Sequence, residues 1–275
     1  MTATNVTWAR IMAPVSGTKG DPGVLSAGAQ LAEAFSAELA AVYTPADVAD
    51  LMPWMGEGFM GGVQIAAVES LKEAAAEGRA AAEGAFAACA YAKKQFVSLD
   101  SPVWSALSMH SRLSDVVVFD SASARGRGPL AQAFQQIIAA EQRPVLVARP
   151  GLGVGGVAAV AWDGGKEASR AMRTALPLLQ KASQVCILSS SSASPRDFDP
   201  GALQAFLAAR GVTADVKLIG GGGEVGAQLL KAAQEIGASL FVAGAYGHPR
   251  LQEFIFGGAT RGFLNTEGPS LFLSH

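Results

Sequence analysis

Residues 238–261 read ASLFVAGAYGHPRLQEFIFGGATR. The run SLFVA is apolar throughout and ends on Gly244. Gly247 follows three positions later, and the pair Gly257-Gly258 closes the segment just ahead of Thr260. Glycine weakens helix and strand interiors, so four of them around an amphipathic stretch point to a use for bare backbone. A two-sided apolar run ending at Gly244 and leading into a helix is the carboxyl end of a strand in a β–α unit. In open parallel sheets ligands sit at such ends, where the strand order reverses. Main-chain N–H groups and a helix N-terminus converge there, and the combination attracts phosphate. A side chain at 244 or 247 would hold an anion away. A helix running through 248–256 would carry Gly257-Gly258 out of reach. The spacing therefore requires the helix to start late, near 257, with Leu251, Phe254 and Ile255 packing down from a crossing arm. The competing explanation is a C-cap glycine together with close helix–helix packing.

Working outward, the second half alternates. Strand-like VAAVAW precedes helix-like KEASRAMRTALPLLQKA, and QVCILS precedes PGALQAFLAARG. ADVKLIG then precedes EVGAQLLKAAQEIG, and SLFVAG leads through the glycine segment to PSLFLS. Two of the helices stop on glycine. Strands that are apolar on both faces belong to a sheet covered by helices on both sides. Strands separated by helices of ten or more residues imply right-handed crossovers and a parallel sheet.

The same text is written twice. Ser16-Gly17 lies over Asp163-Gly164 at an offset of 147, SDVVVFDSAS over ASLFVAGAYG at 124, and PVLVARP over PSLFLSH at 125. The fall in offset places about 23 extra residues inside the first half, and the Pro-, Met- and Gly-rich stretch 45–63 has no partner in the second. The run RPGLGVGG at 149–156 reads as a linker. The expectation is two tandem doubly wound α/β domains, 1–150 and 151–275, each with a five-stranded parallel sheet.

Composition narrows the function classes. Of 275 residues half are hydrophobic and 16% charged, a globular balance with ample core material. The net charge of -2 and the absence of a dense Lys/Arg run give nucleic-acid binding little electrostatic support; ARGRG at 124–128 reads as a solvated loop. Cys89 and Cys186 are read as buried free thiols, not a disulfide framework or a zinc site. No signal peptide or membrane-length apolar run is read, so no membrane partner is expected and the cytoplasm is the expected location.

The glycine spacing resembles the nucleotide-binding signature of the universal stress protein family, G-x2-G-x9-G-[S/T], with Gly244, Gly247 and Gly257 at the three glycine positions. AWDGGKEASRAM is similar to the family's opening strand and helix, where an Asp follows the apolar run. The likeness extends over both halves, as in a tandem protein of two such domains. It implies a Rossmann-like, adenine nucleotide alpha-hydrolase-like fold and one ATP, ADP or AMP per chain, any magnesium being held through the phosphates. It further implies that Asp163 and the Ala161 carbonyl face the adenosine, and that Gly244 and Gly247 line the ribose and phosphates. Gly257, Gly258 and Thr260 would bring N–H groups and a hydroxyl to the phosphates, and His248 would stand beside them as a donor. It also implies a pseudo-dimer of the two halves through their last strands, with homodimerisation of chains open. Asp163 has a second reading as a helix N-cap, and His248 as a solvated loop residue.

Two hydroxyls of the family pattern are missing: Gly258 follows the third glycine and Gly165 follows Asp-Gly. A lost hydrogen bond to a charged group is worth about 1.5–3 kcal/mol, which lowers the expected affinity. The first half departs further, with Ser16 at the Asp position, Asp120 and Ser123 at the glycine positions and no glycine near the third. An acid at 120 repels phosphate, so the first half is expected to be a structural or regulatory partner.

Other motifs fail on context. GGGEVG at 221–226 spells a dinucleotide fingerprint, but the next strand lacks the acid that holds a ribose. AWDGGKEAS is not a P-loop, no nucleophile elbow occurs, and His110, His248 and His275 form no metal-spaced set. The expected function is a stress-response nucleotide-binding signalling module with at most weak ATP hydrolysis. A nucleotide-dependent enzyme and a ligand-free interaction protein are the competing classes.

Overall fold

The apolar runs read as two-sided strands are strands in the computed structural model, which describes residues 7–45, 62–99, 103–190, 199–220, 224–245 and 258–275. The chain divides into two compact units, Ala9–Ile137 and Ile138–His275, the latter with the amino-terminal residues through Trp8.

The first unit runs β1 (Arg10–Val15), α1 (Asp21–Phe35), β2 (Glu38–Tyr43), α2 (Gly62–Ala88), β3 (Lys94–Ser98), α3 (Val103–Ser111), β4 (Val116–Asp120), α4 (Ser121–Ala124) and α5 (Ala131–Gln135). Its strands lie in the order β3-β2-β1-β4, all parallel, with Ile11 paired to Leu39 on one side and to Val116 on the other. Ile11, Met12, Leu39, Val117 and Phe119 are sealed in the core, and Phe119 meets Phe134 edge-on at 5.3 Å.

The second unit contains β5 (Val145–Ala148), β6 (Val157–Ala161), α6 (Lys166–Leu179), β7 (Gln184–Ser190), α7 (Pro200–Ala208), β8 (Ala214–Ile219), α8 (Val225–Glu235), β9 (Leu240–Gly244), α9 (Gly258–Asn265) and β10 (Ser270–Ser274). The order is β5-β10-β9-β6-β7-β8, parallel except for β5, which runs antiparallel to β10 with Leu146 opposite Phe272. Phe241 tilts against Phe263 at 4.9 Å, and Trp8 stacks on Phe272 at 5.9 Å.

Strand order reverses beside β1 in one unit and beside β6 in the other, so each has a crevice at the carboxyl ends of two adjacent strands. The strand–helix turn before it is alike in both. Gly17 has φ 76° and Gly164 has φ 72°, a left-handed turn that favours glycine. The helix α9 is described over Gly258–Asn265, and the expected crossing arm at 248–256 lies outside the described residues.

Two expectations change. β5, placed at the end of the first domain by the sequence reading, packs within the second unit. Cys186 is buried, and burial pushes its thiol up. Cys89 is only half-buried, because it lies just past the end of α2 at a groove lined by Pro22, Leu25, Ala29 and Tyr91. Among the described residues no helix is long and apolar enough to cross a membrane, and no cluster of three His, Cys, Asp or Glu could hold a metal.

Candidate functional site

In the second unit the switch point brings together the ends of β6 and β9. Ala161 closes β6, buried against β7 where it pairs with Leu188, and the Trp162 N–H donates to the Leu188 carbonyl at 2.9 Å. Asp163 follows, exposed, with Oδ1 accepting from the Gly165 N–H at 2.8 Å. Gly165, with extended backbone, is the N-cap of α6 and makes no side-chain cap. Asp163 is therefore not that helix's N-cap: it braces the turn from two residues outside. The Trp162 indole Nε1 is buried without a hydrogen-bond partner. A buried donor left unsatisfied costs about 1–3 kcal/mol, so this one suits an acceptor supplied from outside the chain.

Gly244 has a different cause from the one its spacing suggests. A Cβ there would lie 2.5 Å from the Ala168 nitrogen and 2.8 Å from the Glu167 Cβ. The first turn of α6 lies against the strand end, so packing alone demands the missing side chain. Glu167 is buried in that contact, and the exposed Lys166 ammonium reaches its carboxylate at 3.4 Å.

The end of β10 contributes residues that sequence reasoning set aside. The Ala245 N–H donates to the Ser274 carbonyl at 2.9 Å, and His275 Nδ1 stands 3.0 Å from the Ala245 carbonyl. Arg170, one turn into α6, donates to the His275 carbonyl at 3.1 Å. The signal available was register: β10 pairs β9 through Ser274 and Gly244, so the residues beyond both share one rim. Gly258 opens α9. Thr260 is buried, with 4% of its surface exposed. Gly247, His248 and Gly257 lie outside the described residues.

In the first unit the chain's own carboxylate occupies the corresponding turn. Asp21 Oδ2 accepts from the Gly17 N–H at 2.8 Å and from the Ser16 N–H at 3.2 Å, and Oδ1 accepts from the Thr18 hydroxyl at 3.2 Å. The group is 3% exposed; burial raises its pKa above the ordinary carboxylate value, against the hydrogen bonds, which lower it. A Cβ on Gly17 would overlap the backbone of Gly78 in α2, which crosses the turn and receives the Tyr43 hydroxyl on its Ala75 carbonyl at 2.7 Å. Asp120, at the strand position that Gly244 holds in the second unit, caps α4 by accepting from the Ser123 N–H at 2.7 Å.

The two units solve the same contact in opposite ways. In the second, Gly244 on the strand makes room for Glu167 on the helix. In the first, Asp120 is on the strand, and the helix side presents Gly20, the residue aligned with Glu167, where any Cβ would overlap the Asp120 carboxylate. The residue aligned with Asp21 is Ala168, which has no carboxylate to fill the turn.

No family model matches the sequence, and no curated protein matches it. Solved structures do: a universal stress protein from Archaeoglobus fulgidus DSM 4304 superposes with a TM-score of 0.62, covering 96% of this chain and 95% of its own at 17% identity. The fold is that of the universal stress proteins. A second structure with the universal stress protein fold, described as a putative universal stress protein from Pseudomonas aeruginosa UCBPP-PA14, matches at a TM-score of 0.55 and 15% identity over 97% of this chain and 93% of its own. A functionally unknown protein from Pseudomonas aeruginosa PAO1 matches at 0.56 and 14% identity over 97% and 92%. At these identities the shared property is the universal stress protein fold, carried by nearly the whole of each chain.

Proposed function

We propose that this chain binds one adenine nucleotide, ATP, ADP or AMP, at the carboxyl ends of β6 and β9 in its second unit, and that it works as a stress-response binding module. The observation that carries this reading is the asymmetry of the two turns. In the first unit the Asp21 carboxylate already takes the Ser16 and Gly17 N–H groups and the Thr18 hydroxyl. In the second, Ala168 stands at that position, and the turn's carboxylate is Asp163, exposed and holding the Gly165 N–H alone.

The remaining residues fit a nucleotide in part. The exposed Asp163 carboxylate suits a ribose hydroxyl, and the Trp162 indole N–H suits an acceptor on a base or sugar. Lys166 and Arg170 place positive charge on the first turns of α6, beside the rim formed by Ala245 and His275. The buried Glu167 and the missing hydroxyls at 165 and 258 work against a full triphosphate. Any magnesium would be held through the phosphates. The two sequence halves associate, in this reading, as a pseudo-dimer through their last strands; the antiparallel pairing of β5 with β10 supports it.

Isothermal calorimetry with ATP, ADP and AMP tests the proposal, with native mass spectrometry for stoichiometry. The expected result is saturable binding of one nucleotide per chain. Ala168→Asp, which copies the first unit's arrangement, should weaken binding at least roughly tenfold, the worth of one hydrogen bond to a charged group. Undiminished affinity in that variant would sink the assignment to this turn. The competing ligand-free reading draws on Gly244, whose glycine is explained by packing alone; failure of all three nucleotides to bind would favour it.

A further inference from the structure

The buried Arg149 follows β5 at the start of the inter-repeat segment, 8% exposed. Its guanidinium donates to the Phe263 carbonyl at 2.7 Å and the Leu264 carbonyl at 3.4 Å, both in the last turn of α9, and to the Pro269 carbonyl at 3.3 Å, just before β10. Its main chain is tied to the same place: the Arg149 N–H donates to Ser270 Oγ at 3.0 Å, and that hydroxyl stands 3.3 Å from the Arg149 carbonyl.

We propose that Arg149 is a positioning residue for the strand-end site of the second unit, acting through α9; this rests on the nucleotide reading above. A helix of eight residues does not hold itself together in water. Its last carbonyls lack intrahelical partners, and a cation among them also meets the negative end of the helix dipole. Arg149 supplies both, with a planar fork that serves several carbonyls at once. Fixing the carboxyl end of α9 restrains its amino end, which carries Gly258 and Thr260. The repeat has no second copy of the device: Ser274 stands at the aligned position. The clamp thus serves only the second unit.

Hydrogen exchange of the unliganded full-length chain tests the clamp without reference to any ligand. Arg149→Met should speed exchange of the 258–265 amides by roughly tenfold or more, as expected from losing hydrogen bonds to a charged group. The α6 amides, 166–179, should keep their rates. Arg149→Lys, which retains charge but not the fork, should recover part of the protection. ATP titrations of the same variants should show affinity falling in the same order. Unchanged exchange at 258–265 in Arg149→Met would overturn the proposal, as would acceleration spread evenly over the second unit without rescue by lysine. Absence of ATP binding in the wild-type chain would instead overturn the nucleotide reading, while the exchange data would still decide whether the clamp exists.

Discussion

At the scale of single residues, Gly244 shows how one spacing can have two causes. Its place in a ligand-like pattern is visible in the sequence. The α6 turn lying against it is not, because nothing local says how closely Glu167 and Ala168 approach. Gly244→Ala should therefore destabilise the fold, by about 1–3 kcal/mol for an overpacked contact with backbone that cannot rotate away. Thermal unfolding would show it as a fall in Tm, and no change in Tm would contradict the contact. Asp21 gives a prediction about pH. Burial raises its folded pKa above the unfolded value, so the native state binds the proton more tightly. Its contribution then increases stability as pH falls through the raised folded pKa toward the ordinary carboxylate value, and reduces it as pH rises. Urea unfolding from pH 7 to pH 4 should show this acid-side gain in the wild type and a smaller gain in Asp21→Asn. Equal slopes would mean that the carboxylate is not held as described.

At the scale of elements, periodicity carried most of the information. VAAVAW, QVCILS and SLFVAG are strands because apolar residues on both faces need helices on both sides, and that logic is local. The role of Asp163 was not legible, since a carboxylate two residues outside a helix and one at its N-cap look identical in one dimension. The Asp21 turn was also missed, although GTKGD spells it out, because its anion comes from the chain itself. The turn glycines offer a comparison. Gly17→Ala faces both a positive φ and the backbone of Gly78. It should cost more than the roughly 1–3 kcal/mol of left-handed strain alone. Gly164→Ala, at φ 72°, meets the strain. Chemical denaturation of Gly17→Ala should show a loss beyond that strain, and a smaller loss would contradict the contact with Gly78.

At the scale of the whole chain, the duplication was readable from three anchors at steady offsets, and the sheet it implied is present in both units. What one dimension hid was the set of contacts by which copies of the same architecture differ. The carboxylate at 21, the acid at 120 and the glycine at 244 differ by single residues, and each is meaningful only against its neighbour in space. Native mass spectrometry of gently purified protein should accordingly find one nucleotide per chain; two would mean that the first turn opens and that Asp21 leaves it.

The placement of β5 bears on how this protein can be cut. A fragment begun at Gly151, in the glycine-rich stretch where a linker is easiest to see, would discard the strand that covers the outer edge of β10 and the arginine that holds α9. Its bare edge would expose unpaired main-chain groups, a template for sticking to other chains. A fragment begun near Arg143 would retain both, and hydrogen exchange should find the α9 amides better protected in it than in the shorter one.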